Sequence, residues 1–243
     1  MEYAALSDKG IIREQNEDFW NIVLDNKGNP IAFIIADGMG GHKAGDVASR
    51  MAVEIISQEI YRGFEAINSS TTIGFLEKAV NLANDEIYKY ALLNLNGTGI
   101  GTTLTLGLIH SGKITIAHIG DSRFYMVRGG TIQSMTRDHS FVGELVEKGV
   151  LDQEEARNHP LRNQITRALG YEKNIEIDFY NIDVKKGDMY LFCTDGLTVK
   201  VSSDELLTML EQEKDLNVIL KNMVELANQR GGDDNITAII VKI

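Results

Sequence analysis

The feature that most constrains the fold of this chain is a series of short apolar segments separated by very short loops. Each segment has the length and residue types of a β-strand, and turn-forming residues lie between consecutive segments. The loops at 111–113, 129–130 and 185–188 are too short for a parallel crossover, which needs about a dozen residues, so the strands they join must be antiparallel. The predicted strands are residues 19–24, 31–36, 102–109, 114–119, 124–128, 175–182, 189–193 and 236–241.

Two long segments have the period of an amphipathic helix instead. Apolar residues recur every three or four positions over 44–60 and over 75–91, which predicts one buried stripe on each helix. A second helical pair is predicted at 203–212, with Ser203 as its N-cap, and at 216–228. Because helices and antiparallel strands occur in separate blocks, the predicted fold class is α+β, with sheets in the core and helices covering them.

One domain is predicted over residues 1–243. The chain has only two prolines, and no change in composition marks a linker between domains. The polar stretch 139–170 interrupts the strand pattern and contains a predicted short helix at 141–148. We interpret this stretch as a surface insertion, a kind of segment that often contacts substrates.

Charge and composition exclude several classes of protein. The formal net charge of −11 argues against a nucleic-acid partner, which requires a basic face. The single cysteine, Cys193, excludes an internal disulfide framework and suits a reducing compartment, and its apolar neighbours indicate a buried core thiol. No signal-peptide pattern is present, and the longest apolar runs of about six residues are far below the roughly 20 that span a bilayer. We therefore expect a cytoplasmic protein without a membrane segment.

Carboxylates recur where the predicted strands begin or end. A single Asp beside Gly is an ordinary turn residue, but five such positions in one antiparallel framework predict a cluster. Two carboxylates about 4 Å apart repel by roughly 4 kcal/mol at an effective dielectric constant of about 20, so a cluster requires cations. Oxygen ligands without Cys or paired His favour Mg²⁺ or Mn²⁺. The acidic positions are Glu17–Asp18, Asp37, Asp121, Asp195 and Asp233–Asp234.

Two other interpretations of these residues are weaker. The loop at 38–43 lies between a strand and a helix, as in dinucleotide-binding proteins, but Lys43 occupies the place of the third glycine and Asp37 would repel a pyrophosphate. The five histidines show no metal-binding spacing. His110 and His118 lie in strand patterns and are interpreted as structural, whereas His42 follows the acidic loop and remains a candidate.

Six segments, taken in order, resemble the motifs of the metal-dependent protein Ser/Thr phosphatases, the type 2C family, and most closely its short bacterial members. Each segment alone is a weak signal, but the six in order are specific. The segments are 10–18, 37–41, 101–104, 120–123, 195–196 and 234–237. The resemblance implies a central β-sandwich of two antiparallel sheets flanked by pairs of antiparallel helices, with a flap at about residues 139–171.

The resemblance also implies a site that holds two or three divalent cations, Mn²⁺ or Mg²⁺. Asp37 would bridge two of them, and the carbonyl of Gly38 would bind one. Asp195 and Asp234 would bind the other ion.

Three further acidic residues acquire implied metal roles. Glu17 and Asp18 would act mainly through metal-bound waters. Asp121 would support a third ion together with Asp195. Asp233 is interpreted as a loop acid rather than a direct ligand.

The implied activity is hydrolysis of phosphoserine and phosphothreonine monoesters by direct attack of a hydroxide that bridges two metal ions. Arg13 would hold the substrate phosphate, although on its own it could equally be a surface arginine paired with Glu14 or Glu17. Met39 stands where animal members have a His proposed as general acid, and a thioether cannot donate a proton, so His42 is a candidate proton donor or substrate contact.

The implied partners are phosphoproteins and a cognate Ser/Thr kinase, and a monomer is expected. A narrower alternative is a phosphatase dedicated to an anti-sigma-factor antagonist, which is disfavoured because no sensory domain is recognised in the sequence. A second alternative is a non-catalytic phosphoprotein-binding module. The joint presence of Asp37, Asp195 and Asp234 argues against that module.

Overall fold

Two antiparallel sheets form the centre of the molecule. The structure, a computed structural model, describes residues 1–40, 44–95, 97, 99–152, 155, 159–161 and 164–243. Within these ranges the first sheet has the strand order β1-β11-β10-β7-β8, and the second has the order β2-β3-β5-β6-β9, with β4 paired to β3. The strands are β1 (Glu2–Asp8), β2 (Asp18–Leu24), β3 (Pro30–Gly40), β4 (Ile100–Thr102), β5 (Leu104–His110), β6 (Lys113–Ile119), β7 (Arg123–Arg128), β8 (Thr131–Ser134), β9 (Asp178–Asp183), β10 (Met189–Cys193) and β11 (Ile236–Lys242).

The sheets pack face to face through large apolar side chains. Phe33 of β3 stacks on Phe192 of β10, with 6.0 Å between ring centroids. The alternate residues of β3, such as Ile34, face the helices on the other side of the sheet. Both faces of β3 are therefore buried, which explains why its sequence is a continuous apolar run rather than an alternating one. The predicted β-sandwich is confirmed.

One pair of helices covers each sheet. Helices α1 (Gly45–Gly63) and α2 (Thr72–Asn94) bury their apolar stripes against the second sheet. Helices α5 (Ser203–Gln212) and α6 (Leu216–Gln229) cover the first sheet. Two short helices, α3 (Phe141–Glu147) and α4 (Asp195–Thr198), lie in the predicted flap and directly after β10. The predicted layer order, with two central sheets and a pair of helices outside each sheet, is therefore confirmed.

Several predicted boundaries were wrong. The strand predicted at 31–36 continues to Gly40 because its last residues pair with β4, and the strand predicted at 102–109 is divided at Thr103. The strand predicted at 175–182 begins only at Asp178, where pairing with β6 starts. The N-cap of α5 is Ser202 rather than Ser203, because Ser202 and Glu205 form a reciprocal capping box.

The interior confirms two interpretations made from single residues. Cys193 is fully buried, and burial raises the pKa of its thiol to about 12, so it is not a nucleophile. His118 is also buried, and its ring nitrogens contact the hydroxyl of Thr105 and the carbonyl of Arg137. Among the residues that the structure describes, no helix has the length and apolar content needed to cross a bilayer.

Candidate metal centre and active site

The predicted acidic residues meet at one end of the sandwich. Asp18 and Asp37 are directly opposite each other on β2 and β3. Asp195 begins α4 immediately after β10, and Asp234 lies just before β11. Burial raises the pKa of Asp37 well above its ordinary value, and the charges of four other acids raise it further. Those acids are Asp18, Asp195, Asp121 and Asp234.

Asp37 is held in place by hydrogen bonds to its main chain. Its backbone N–H donates to the hydroxyl of Thr103 at 2.9 Å. Its carbonyl accepts from the hydroxyl of Thr102 and from the backbone N–H of Thr103, each at 2.9 Å. Thr102 and Thr103, which belong to the motif at 101–104, therefore position Asp37.

Asp18 has one carboxylate oxygen without a partner. The residue is only 6% exposed, and its Oδ2 accepts a hydrogen bond from the hydroxyl of Thr194 at 2.9 Å. Its Oδ1 is buried and makes no hydrogen bond. Burial raises the pKa of Asp18 to about 7, against the opposing hydrogen bonds of Thr237 and Thr194. Thr194 is a site residue that the sequence did not reveal, because its role depends on a contact 176 residues away.

Asp195 and Asp121 also have raised pKa values, because desolvation and neighbouring carboxylates disfavour their charged forms. Burial and then the charge of Asp234 raise the pKa of Asp195 to about 6. Burial and then the charge of Asp195 raise the pKa of Asp121 well above its ordinary range, although Arg123 opposes this shift. Arg123 is itself bound by both carboxylate oxygens of Asp138, at 2.9 and 2.6 Å, so it does not neutralise Asp121 directly.

Gly38 is required by a close approach of two backbone segments. A Cβ on Gly38 would lie 2.1 Å from the carbonyl oxygen of Gly45 at the start of α1. The N–H of Gly38 also donates to the carbonyl of Glu17 at 3.1 Å. No side chain fits here, so the glycine brings the β3 backbone up to the acidic cluster.

Asn235 fixes the loop that carries Arg13 and Glu17. Its side-chain amide donates to the carbonyls of Lys9 and Gln15, each at 2.9 Å, and its Oδ1 accepts from the N–H of Glu17 at 2.8 Å. Burial and then the charge of Asp46 raise the pKa of Glu17. Asn235 lies inside one of the six motifs, but no sequence pattern indicated this bridging role.

Arg13 lies at the exposed rim of the cluster. Its side chain is 50% exposed, and Nη2 lies 2.9 Å from Oδ2 of Asp234. Its Nε donates to the backbone carbonyl of Asp233 at 3.2 Å. The carboxylate of Asp233 points away and pairs with Lys200, in agreement with its interpretation as a loop acid.

The predicted proton-donor region follows Asp37 along the chain. Met39 lies in β3, partly exposed and opposite Gly101 of β4. His42 lies outside the described residues.

The donor set fits hard divalent cations. The carboxylates of the cluster raise the pKa of Asp37, and Oδ1 of Asp18 accepts no hydrogen bond. Across the described residues, no three His, Cys, Asp or Glu side chains are already placed to hold one ion. A cation here would therefore take further ligands from backbone carbonyls and water, which Mg²⁺ and Mn²⁺ accept readily.

The metal-free protein should lose stability as the pH rises. Asp18 and Asp195 have pKa values of about 7 and about 6 in the folded state, so between about pH 4 and pH 7 the folded state holds more protons than the unfolded state. In EDTA, the free energy of unfolding should fall by roughly 1–3 kcal/mol between about pH 5 and pH 7. Urea unfolding at each pH measures this change.

Saturating Mn²⁺ and the variant Asp18→Asn are the controls for that measurement. Each should flatten the decline, because Mn²⁺ binds the ionised acids and the amide does not titrate. A metal-free protein that gains stability over the same range would contradict the proposed cluster.

The fold and the acidic site define a class of protein. A sandwich of two antiparallel sheets with clustered carboxylates at one end is suited to a protein that binds divalent metal ions. The model of the family described as protein phosphatase 2C matches residues 13–240. The chain belongs to the protein phosphatase 2C family, and its predicted identity as a metal-dependent protein phosphatase is confirmed.

Individual relatives agree with this assignment. The serine/threonine phosphatase stp of Listeria welshimeri is 38% identical over 236 residues, which cover 97% of this chain and 93% of that protein. The structure of the S. agalactiae serine/threonine phosphatase is similar with a TM-score of 0.92 and 37% identity, covering 100% of this chain and 99% of the other. The catalytic domain of the phosphatase PstP, solved in complex with 2 manganese ions, has a TM-score of 0.84 and 33% identity, covering 98% and 96% of the two chains.

Proposed function

We propose that the chain hydrolyses phosphoserine and phosphothreonine monoesters in proteins, using two or three Mn²⁺ or Mg²⁺ ions. The observation that carries the proposal is the pairing of buried Asp18 with partly buried Asp37, whose pKa is raised by Asp121, Asp195 and Asp234, together with the Asp18 oxygen that has no hydrogen-bond partner. Supporting this metal requirement, PstP was solved with manganese.

The chain's own residues would divide the work of holding the cations. Asp37 and the carbonyl of Gly38 would bind on the side of β3, and Asp195 and Asp234 would bind from the opposite sheet. Asp121 would support a third ion, and Glu17 and Asp18 would act mainly through water. When bound, the cations would acidify water and stabilise negative charge on the phosphate.

Arg13 is proposed to hold the substrate phosphate. Its guanidinium already reaches a carboxylate oxygen of Asp234 at 2.9 Å, so it can reach an oxyanion at the rim of the cluster. A planar guanidinium can bind two phosphate oxygens at once, which fixes the phosphorus in place. Asn235 supports this role by tying down both ends of the loop, at Lys9 and Gln15.

The leaving oxygen needs a proton, and Met39 cannot supply it. We propose His42 as the donor or as a substrate contact, because it follows the acidic end of β3 in the sequence.

A cavity beside the acidic cluster is proposed to receive the protein segment around the phosphorylated residue. It has a volume of about 750 Å³ and lies between α3, the β7–β8 hairpin and α4. Asp121 and Asp195 of the acidic cluster line it, as do Val142 and Val146 of the flap. The flap at about 139–171 would thereby influence target choice.

We propose one catalytic domain over residues 1–243, acting as a monomer in the cytoplasm. Its partners would be phosphoproteins, and it would reverse the action of a cognate Ser/Thr kinase. Related proteins named serine/threonine phosphatases support the substrate class.

Hydrolysis of a phosphothreonine peptide and of p-nitrophenyl phosphate tests this function. We expect turnover that requires Mn²⁺ and is abolished by EDTA. Arg13→Ala should lower kcat/KM for the peptide about 10- to 100-fold, mainly through KM, because charge-assisted hydrogen bonds to the phosphate are lost. Arg62→Ala, on the exposed end of α1, is the matched control and should leave the rate unchanged. Absence of turnover by the metal-loaded wild type would reject the function.

A further inference from the structure

His139 connects the start of the flap to the turn that carries Asp121. Its side chain is only 6% exposed, and the proposed reaction does not use it. The backbone N–H of His139 donates to the carbonyl of Gly120 at 2.8 Å, and its ring Nδ1 accepts from the N–H of Gly120 at 3.1 Å. Its own carbonyl accepts from the N–H of Thr166 within the flap, at 2.8 Å.

The ring also faces β9, the strand that follows the flap. Because Nδ1 accepts a hydrogen bond, the proton of the neutral ring lies on Nε2. Nε2 lies 3.3 Å from Oδ2 of Asp178, the first residue of β9. That same carboxylate oxygen accepts from the hydroxyl of Tyr180 at 3.1 Å. One imidazole at the start of the flap thus lies between Gly120 and the first residue of β9.

Gly120 is the point through which a small movement would reach the metal site. Its φ of +100° is in the region that favours glycine, and a Cβ there would lie 2.5 Å from the methyl group of Thr103. The Thr103 hydroxyl accepts from the N–H of Asp37 and lies 2.8 Å from the hydroxyl of Ser122. The neighbours of Gly120 therefore include both Asp121 and the residue that positions Asp37.

We propose that His139 is a positioning residue that fixes the Gly120–Asp121 turn for metal binding, through the hydrogen bond from the Gly120 N–H to Nδ1. The inference rests on the proposed metal roles of Asp121 and Asp37. The backbone hydrogen bond between His139 and Gly120 survives any substitution at position 139 other than proline, so side-chain variants isolate the contribution of Nδ1.

Two variants separate the functions of the two ring nitrogens. In His139→Asn, the amide oxygen can take the place of Nδ1 as an acceptor, but nothing reaches Asp178. In His139→Gln, the longer amide can reach Asp178, but the acceptor for Gly120 is lost. Tyr180→Phe is the matched control, because it removes a hydrogen bond to Asp178 without affecting Gly120.

The readouts are the number and affinity of bound Mn²⁺ ions, measured by electron paramagnetic resonance, together with kcat and KM for p-nitrophenyl phosphate. Each variant is measured below its own melting temperature, determined in EDTA. We expect His139→Gln to weaken Mn²⁺ binding at one site or more by about 10- to 100-fold and to lower kcat with little change in KM. His139→Asn and Tyr180→Phe should stay within about threefold of the wild type, because the hydrogen bond at Gly120 is retained.

Two results would overturn the proposal. One is unchanged Mn²⁺ binding and kcat in His139→Gln. The other is equal damage in His139→Asn and His139→Gln, which would make the Nδ1 acceptor irrelevant. If the wild type bound Mn²⁺ but hydrolysed no phosphoester, the proposed function would fail, while the Mn²⁺ affinities of the variants would still test His139.

Discussion

Asp37→Asn should abolish hydrolysis and, in the absence of metal, stabilise the protein. Asp37 is the acid whose charge is opposed by four other carboxylates, and burial adds to the cost of ionising it. An amide removes that charge but also removes the ligand proposed to bridge the cations. We expect kcat to fall by at least about a thousandfold, because the stabilisation of the transition state is lost. The free energy of unfolding in EDTA at neutral pH should rise by roughly 1–3 kcal/mol.

Thermal unfolding with EDTA and with Mn²⁺, together with the kcat of the variant, measures both halves of this prediction. Mn²⁺ should raise the melting temperature of the wild type, because a cation that binds only the folded state stabilises it, and should raise that of the variant far less. Asp188→Asn is the matched control, since Asp188 is buried but is bound by Arg128 at 2.7 and 2.6 Å. That control should melt earlier in EDTA and keep its kcat. If Asp37→Asn also melted earlier in EDTA, the electrostatic account of the cluster would be wrong.

Gly38→Ala should destabilise the protein severely. The new methyl group would lie 2.1 Å from the carbonyl oxygen of Gly45, a contact between two backbone segments that no rotamer change can relieve. Either β3 or the start of α1 must move, and both adjoin the acidic cluster. We expect a loss of at least about 3 kcal/mol in the free energy of unfolding, with a parallel loss of Mn²⁺ affinity.

Gly74→Ala makes the same chemical change, but we expect it to raise the free energy of unfolding rather than lower it. Gly74 lies on the exposed side of α2, and a Cβ added there would have open space around it, with no neighbouring atom within 4 Å. Alanine at this position should stabilise the helix by about 0.5–1 kcal/mol and leave activity unchanged. Urea unfolding compares the two variants. Equal stability of Gly38→Ala and the wild type would show that β3 and α1 do not approach as closely as described.

The sandwich could be predicted because its signals are local. Tight loops require antiparallel pairing, and the long apolar stripes of α1 and α2 identify helices that cover a sheet. β1 escaped prediction because its residues are mostly only partly buried, and its place depends on pairing with β11 at the other end of the chain. The tight loop at 129–130 and the strand before it were predicted, but β8 on the far side of that loop escaped because it is short and mostly exposed.

The acidic residues of the site could also be predicted, but their supports could not. Asp37, Asp121 and Asp195 each follow an apolar run, and that is visible in the sequence. Thr194 and Asn235 act on residues about 200 positions away, so no spacing reveals them. Nearness in sequence makes Glu14 and Glu17 plausible partners of Arg13, whereas the structure pairs Arg13 with Asp234, which only the folded chain brings near.

Because β3 is buried on both faces, the strand that carries Asp37 is harder to displace than the outer segments that carry Arg13 and the flap helix. Asp37 extends from a strand that is covered by a helix layer on one side and by the other sheet on the opposite side, so it cannot loosen unless both cores open. Arg13 and the helix of the flap lie on segments with much exposed surface. Changes in these outer segments can therefore alter which phosphoproteins are accepted without loosening the strand that carries Asp37, so substrate range and catalytic competence can diverge separately within one fold.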